Sequence, residues 1–289
     1  MDTRAIAMGL AFALMWSSAF TSARIIVADA SPIYSLALRF LISGLLGVII
    51  AVAMGQSWRL TRSQWYATIL FGVCQNALYL GLNFVAMQTI EASLAAIIAS
   101  AMPLTVALAN WLIFRERQSA LTVVGIFAGM AGVALIMGTR VSAGADLFGV
   151  TLCLIGVAAL TFATLAVRGA TSGGNFMMVV GLQMLVGAAV LAAVAPFVET
   201  FRMDPTLELA IAFAYTTLVP GLAATFIWFL LLHRIGPIRA ATFHFLNPAF
   251  GVIIAYLLLG EHLGLLDLAG IAIISFAILV VQRARRPAK

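Results

Sequence analysis

Seven residues of this chain are of types that can hold a small molecule: Trp16, Gln75, Tyr79, Asn83, Trp228, His244 and Asn247. All lie inside long apolar runs. Between them they offer neutral hydrogen bonding from amides, a phenol and an imidazole, together with stacking on indole rings. None carries a fixed charge, so the chemistry on offer is recognition rather than nucleophilic or metal-assisted catalysis. Polar groups at such positions are costly, which makes them candidates for function, although hydrogen bonding between helices is a common alternative use.

Gln75, Tyr79 and Asn83 follow at i, i+4 and i+8, a spacing that places them on one face of an α-helix, with Asn76 beside them. The amides of Gln75 and Asn76 serve equally well to hold helices together. His244 and Asn247 stand three apart on one face, directly before Pro248. A proline removes a backbone donor and frees a carbonyl one turn earlier, so a kink is expected near His244, with a counterpart at Pro103. A structural role for His244 stays open beside binding or gating. Trp16, flanked by Ser17, Ser18, Thr21 and Ser22, is expected to wall a cavity, as is Trp228. Trp58, Trp65 and Trp111 fall near the ends of apolar runs, where Trp anchors to the membrane interface. Arg39, about two turns into an apolar run, is expected to snorkel or to find a carbonyl partner as a structural anchor.

The elements that must position these residues follow from composition. The chain is 64% hydrophobic and 9% charged, against about 45–50% apolar and about 25% charged in soluble domains. Uncharged runs of spanning length recur near 5–28, 32–55, 64–88, 91–114, 119–138, 146–170, 176–198, 208–232, 237–260 and 264–282. Each approaches the roughly 20 residues that cross about 30 Å of hydrocarbon. Continuous runs exclude a membrane β-barrel, whose strands alternate. The fold class expected is therefore an all-α membrane protein of ten transmembrane helices, with no separate soluble domain. Ala28-Asp29-Ala30 resembles a signal-peptidase site, but the run before it is long and its flank weakly basic, so an uncleaved first span is expected.

An internal repeat organises the runs. PLTVALANWLIFRE, residues 103–116, has the frame of PAFGVIIAYLLLGE, residues 248–261, and in both a Gly follows nine positions on. Five spans separate the copies, and an odd number of crossings reverses direction. Two inverted five-helix repeats are expected, covering 1–140 and 141–289, an arrangement typical of alternating-access carriers. With the N-terminus inside, twelve Lys and Arg (Arg4, Arg59, Arg62, Arg115, Arg117, Arg168, Arg234, Arg239, Arg283, Arg285, Arg286 and Lys289) face the cytoplasm and three (Arg24, Arg140, Arg202) face out. The positive-inside rule thus places both termini in the cytoplasm, and it accounts for the opposite charges on the two copies of the frame. The positive charge is spread over several segments, which excludes a nucleic-acid face.

Trp16 in LMWSSAF, the LALRFLISG stretch around Arg39, the paired Pro-to-Glu frames and the basic C-terminal tail resemble the drug/metabolite transporter superfamily, and within it the ten-span EamA-type exporters. The resemblance implies a central cavity between the repeats, lined by spans one, three, four, six, eight and nine. It also implies export of small metabolites, neutral and aromatic amino acids among them, across a bacterial inner membrane. A monomer is expected to suffice, with the Gly and Ala of spans five and ten serving tight packing or a dimer face. No acid lies deep in a run, so transport is expected to be facilitative or by exchange rather than proton-driven. Phosphate-bearing cargo would want basic residues in the cavity, and the one Lys is the last residue. Drugs or another metabolite, such as a sugar or nucleotide derivative, remain the alternative cargo. An intramembrane enzyme would need an acid pair or a Ser-His dyad at mid-depth, and His233, His244 and His262 fall at different depths. Cys74 and Cys153 read as packing residues, and neither a metal nor a cofactor is expected.

Overall fold

A computed structural model describes residues 3–115, 119–166, 173–235, 240 and 242–284. In hydrocarbon every backbone N–H and C=O must be satisfied within its own segment, so apolar runs of this length fold as helices. The described chain runs α1 (Thr3–Asp29), α2 (Pro32–Ala53), α3 (Arg62–Phe71), a π segment (Gly72–Tyr79), α4 (Leu80–Ala86), α5 (Ala92–Ser100), α6 (Met102–Phe114), α7 (Ala120–Ser142), α8 (Leu147–Ala166), α9 (Phe176–Val198), α10 (Leu207–Thr216), a second π segment (Thr217–Ala223), α11 (Ala224–Ile235), a 3-10 turn (Thr242–Leu246), α12 (Asn247–Leu259) and α13 (Leu265–Ala284). Eight of these stretches are long and apolar enough to cross a membrane, by length and composition. Two shorter apolar ones, Phe243–Leu259 and Leu265–Val281, lie where the last two runs were read.

Helix ends are set by local chemistry. Thr61 and Gln64 form a reciprocal capping box at the start of α3, and Thr206 caps α10. Arg115 and Gly260 end α6 and α12 in the left-handed region, at φ 51° and 65°. Glu116, whose role in the first Pro-to-Glu frame was read from sequence, lies outside the described residues, as do Asp2, Arg117, Arg168, Arg239, Arg285, Arg286 and Lys289.

The chain packs as two compact units. One contains 1–21, 89–150 and 223–289, the other 22–88 and 151–222. Both sequence halves contribute to each unit, so packing partners come from corresponding places in the two halves.

In the unit of 22–88 and 151–222, α2 lies along α9. Glycines make the approach possible: a methyl on Gly181 would stand 2.7 Å from the Val48 backbone nitrogen and 3.0 Å from the Gly44 carbonyl oxygen. The two helices also cap each other. The Ile33 and Tyr34 amides donate to Glu199 Oε1 at the end of α9, each at 2.9 Å, and the Met178 amide donates to Gln56 Oε1 just past α2, at 3.0 Å. Burial pushes the Glu199 carboxyl up from its ordinary value, partly offset by those two amides.

In the other unit, α7 and α13 meet in the same manner. Methyls on Gly132 and Gly270 would each stand within 3.4 Å of the other's carbonyl oxygen. Ile97, Leu104, Ile126, Ile136, Val252, Ile274 and Ile278 close the core around this pair. The glycines expected to serve tight packing are thus used between α7 and α13. At one end of this unit the Ala92 and Ser93 amides donate to the two carboxylate oxygens of Glu261, at 2.7 and 2.9 Å. Nearby, Arg140 pairs with Glu91 and with Asp267, the latter at 2.9 Å, and donates to the His262 carbonyl. Burial raises the Glu91 carboxyl above its usual range, with Arg140 pulling the other way.

Candidate functional site

Four of the seven residues singled out from the sequence belong to the unit of 1–21, 89–150 and 223–289, and there they form one cluster. Trp16 comes from α1, Trp228 from α11, His244 from the 3-10 turn and Asn247 from the first residue of α12. Phe12, one turn before Trp16, sits at its centre, with ring centroids 5.8 Å from Trp16, 4.6 Å from Trp228 and 5.3 Å from His244. Trp228 and His244 meet edge-on at 5.1 Å. Phe12 is buried, whereas Trp16, Trp228, His244 and Asn247 are each half-buried and keep part of their surface open. The floor is apolar, built from Ala5, Leu231, Ala240 and Phe243. Gly9 lets α1 come this close, since a methyl there would stand 2.3 Å from the Phe243 ring.

The polar corner of the cluster has a defined hydrogen-bond sense. Asn247 Nδ2 and His244 Nδ1 are 2.9 Å apart. An amide NH2 only donates, so Nδ1 is the acceptor and the imidazole proton resides on Nε2. Ser17 Oγ donates to the Asn247 carbonyl at 3.2 Å, which ties α1 to the start of α12. Asn247 Oδ1 and Thr21 Oγ1 are buried without a partner.

Both prolines singled out as kink sites stand at helix breaks. Pro103 follows the interruption at Ala101 between α5 and α6, and Pro248 stands at the second position of α12 after the 3-10 turn. The two broken spans pack closely, for a methyl on Gly251 would approach Ala96 Cβ to 2.7 Å.

Gln75, Tyr79 and Asn83 belong to the unit of 22–88 and 151–222. Gln75 and Tyr79 lie within the first π segment, whose i→i+5 bonding changes the turn. Gln75 is half-buried, while Tyr79 and Asn83 are buried. Asn83 Nδ2 donates to the Tyr79 carbonyl at 2.7 Å, and its Oδ1 accepts from Cys153 Sγ at 3.4 Å. Asn76 Nδ2 donates to the Gln183 carbonyl on α9 at 2.9 Å. These two asparagines thus spend amide groups on helix packing, the alternative use foreseen for Asn76. Arg39 does not snorkel. It is 6% exposed, lies 5.1 Å from the Phe40 ring and leaves Nε without a partner.

Phe12 was missed from the sequence, although its place four residues before Trp16 puts both on one helix face. Among the described residues no group of His, Cys, Asp and Glu could hold a metal ion, and both cysteines are free and buried.

A model of the EamA-like transporter family matches the chain twice, over residues 3–138 and 147–283. The chain belongs to the EamA-like transporter family. It is a small-molecule transporter and not an enzyme. It is 24% identical over 285 residues to an uncharacterized transporter of Bacillus subtilis, YvbV, covering 98% of this chain and 93% of that one. It is 25% identical to an uncharacterized inner membrane transporter of Escherichia coli K12, YedA, covering 94% and 89%. A chloroplastic WAT1-related protein of Arabidopsis thaliana is 25% identical, and there the match covers 92% of this chain but 66% of the relative. A crystal structure that is 20% identical in sequence superposes with a TM-score of 0.71, over 99% of this chain and 100% of its own, a likeness of fold.

Proposed function

We propose that this EamA-family transporter exports neutral and aromatic amino acids by alternating access, as ten spans in two inverted five-helix repeats, 1–140 and 141–289. The layout is like that of the bacterial amino-acid exporter YddG. Both termini face the cytoplasm, the protein works as a monomer, and the membrane is a bacterial inner membrane, as the name of the Escherichia coli relative states for that protein.

The observation that carries the cargo assignment is the cluster of Phe12, Trp16 and Trp228 around the neutral His244–Asn247 pair. Aromatic faces take an apolar or aromatic side chain. A polar corner without fixed charge suits a ligand of zero net charge. Gln75 and Tyr79, with Asn83 bonded to the Tyr79 carbonyl, are a separate candidate contact within the unit of 22–88 and 151–222. Every Asp and Glu among the described residues stands at a helix end or in a loop, which supports movement down the substrate's own gradient.

The test is uptake by purified protein in liposomes, using neutral, aromatic, acidic and basic amino acids with and without an imposed pH gradient. Saturable uptake confined to neutral and aromatic members and indifferent to the gradient is the expected result. A folded protein that moves no amino acid would overturn the cargo assignment.

A further inference from the structure

The hydrogen bond between Asn247 and His244 decides what each side chain has left. With one N–H of its NH2 given to Nδ1, Asn247 also presents Oδ1, an acceptor that is buried and has no partner. With Nδ1 occupied as an acceptor, His244 presents Nε2–H, a donor. A second unpartnered buried atom lies on the helix facing this corner. Ser17 touches the Asn247 carbonyl, and Thr21, one turn further along the same face of α1, has Oγ1 buried without a partner. Four residues rise about 6 Å along the axis, so Thr21 stands just beyond the point where α1 meets the start of α12. Buried polar atoms without partners are costly and rare in native folds, and here α1 and the first residue of α12, joined by the Ser17 bond, each carry one. A single group with several N–H donors would satisfy both.

We propose that Thr21, His244 and Asn247 form the head-group site for a zwitterionic α-amino acid. Its ammonium donates to Asn247 Oδ1 and Thr21 Oγ1, and its carboxylate accepts from His244 Nε2–H. The side chain of the ligand then rests on the exposed faces of Trp16 and Trp228. Neutral partners balance a head group whose own charges cancel, so neither an acidic nor a basic residue is needed at the site. The assignment rests on the amino-acid reading above and deepens it by naming which atoms read which end of the ligand. The site discriminates by head group: an N-acetylated amino acid loses the ammonium charge and keeps one N–H, too few to reach both acceptors, and a decarboxylated amine or methyl ester loses the carboxylate.

The experiment is competition against labelled phenylalanine transport in proteoliposomes by unlabelled phenylalanine, its N-acetyl form, its methyl ester and phenethylamine. It is run with wild type, Thr21→Val, His244→Gln, His244→Leu and Asn247→Asp, each first shown folded by thermal unfolding in detergent. Wild type is expected to be competed by phenylalanine and about tenfold less by each modified form, the effect of one charge-assisted hydrogen bond. Thr21→Val, close to isosteric, is expected to raise KM about tenfold on the same grounds. His244→Gln, which keeps a donor, should retain more transport than His244→Leu. Asn247→Asp adds a negative charge and should shift preference toward phenethylamine. If wild type moves phenylalanine but Thr21→Val and Asn247→Asp keep its KM and its order of competitors, the head-group assignment is overturned and the amino-acid reading survives. If wild type moves no amino acid, that reading fails and takes the head-group site with it. Should one variant not fold, the remaining ones decide in the same way.

Discussion

The two π segments begin at Gly72 and Thr217, 145 positions apart, the same offset that relates Pro103 to Pro248. Each faces a helix of the other sequence half, and the junctions are built from opposite sides. In the first, the widened turn supplies the polar group: Asn76 reaches over to the Gln183 carbonyl of α9, and Gly187 on α9 makes room for it. In the second, the turn carries Gly221 where the first carries Asn76. The polar groups come from α2 instead, with Ser43 Oγ donating to the Thr217 carbonyl at 3.4 Å and Arg39 alongside. A donor and a bare backbone are required at the junction, but which helix brings which is free to swap. Arg39 lies beside the second junction, and the hydrogen bond there is made by Ser43. A second exchange of this kind separates Arg115 from Gly260, the left-handed ends of α6 and α12 at the same offset. There a basic residue occupies a conformation that its counterpart reaches as glycine.

The comparison breaks most sharply at the glycines. A methyl on Gly187 would stand 2.5 Å from Asn76 Cβ, which cannot move without its helix, whereas one on Gly221 meets its nearest atom at 3.2 Å. Gly187→Ala is expected to cost about 1–3 kcal/mol from overpacking, seen as a lower unfolding midpoint in detergent, and Gly221→Ala clearly less. Equal losses would mean that the two junctions are not different. Next in size, Asn76→Ala removes a buried interhelical hydrogen bond and should cost about 1 kcal/mol. Arg39→Gln, which copies the residue found at position 183, should be tolerated, because burying an unpaired cation is itself unfavourable. A larger loss for Arg39→Gln than for Asn76→Ala in the same assay would show the charge itself to be needed.

Arg115→Gly and Gly260→Ala are expected to shift stability in opposite directions, upward and downward, each by about 1 kcal/mol or less. Shifts of the same sign would remove the strain argument. The smallest effect concerns pH. Burial holds the Glu91 and Glu199 carboxyls above their ordinary values, so as pH falls toward the carboxylate range the folded state takes up protons before the unfolded one does. Stability therefore rises as pH falls through the window just above the ordinary value of about 4.3. Glu91→Gln with Glu199→Gln should flatten that slope between about pH 7 and 5, as measured by unfolding midpoints in detergent, and an unchanged slope would contradict it.

Continuous apolar runs made the helices legible, because a backbone in lipid has few other ways to satisfy itself. The breaks near residues 101 and 247 were legible too, since Pro103 and Pro248 announce them. The π segments were not. No residue type encodes an i→i+5 register, so the widened turn that holds Gln75 and Tyr79 had no signal in the sequence. His244 and Asn247 were legible as a pair because three residues is a contact distance on one helix face, and the structure joins them by a hydrogen bond. Phe12 was hidden by its type, one apolar residue among many. Glu199 and Glu261 read as acids at run ends, and their service as caps depends on amides 166 and 169 residues away in the chain.

The central claim, that the aromatic cluster of α1 and α11 receives the cargo, is tested most directly by counterflow of labelled phenylalanine in proteoliposomes containing wild type or Trp228→Ala. Saturable wild-type exchange, with KM raised at least tenfold in a Trp228→Ala protein that unfolds at the same temperature, is the result expected from the loss of roughly 1.4 kcal/mol or more of aromatic contact. Unchanged exchange in that variant, or no exchange by folded wild type, would contradict it.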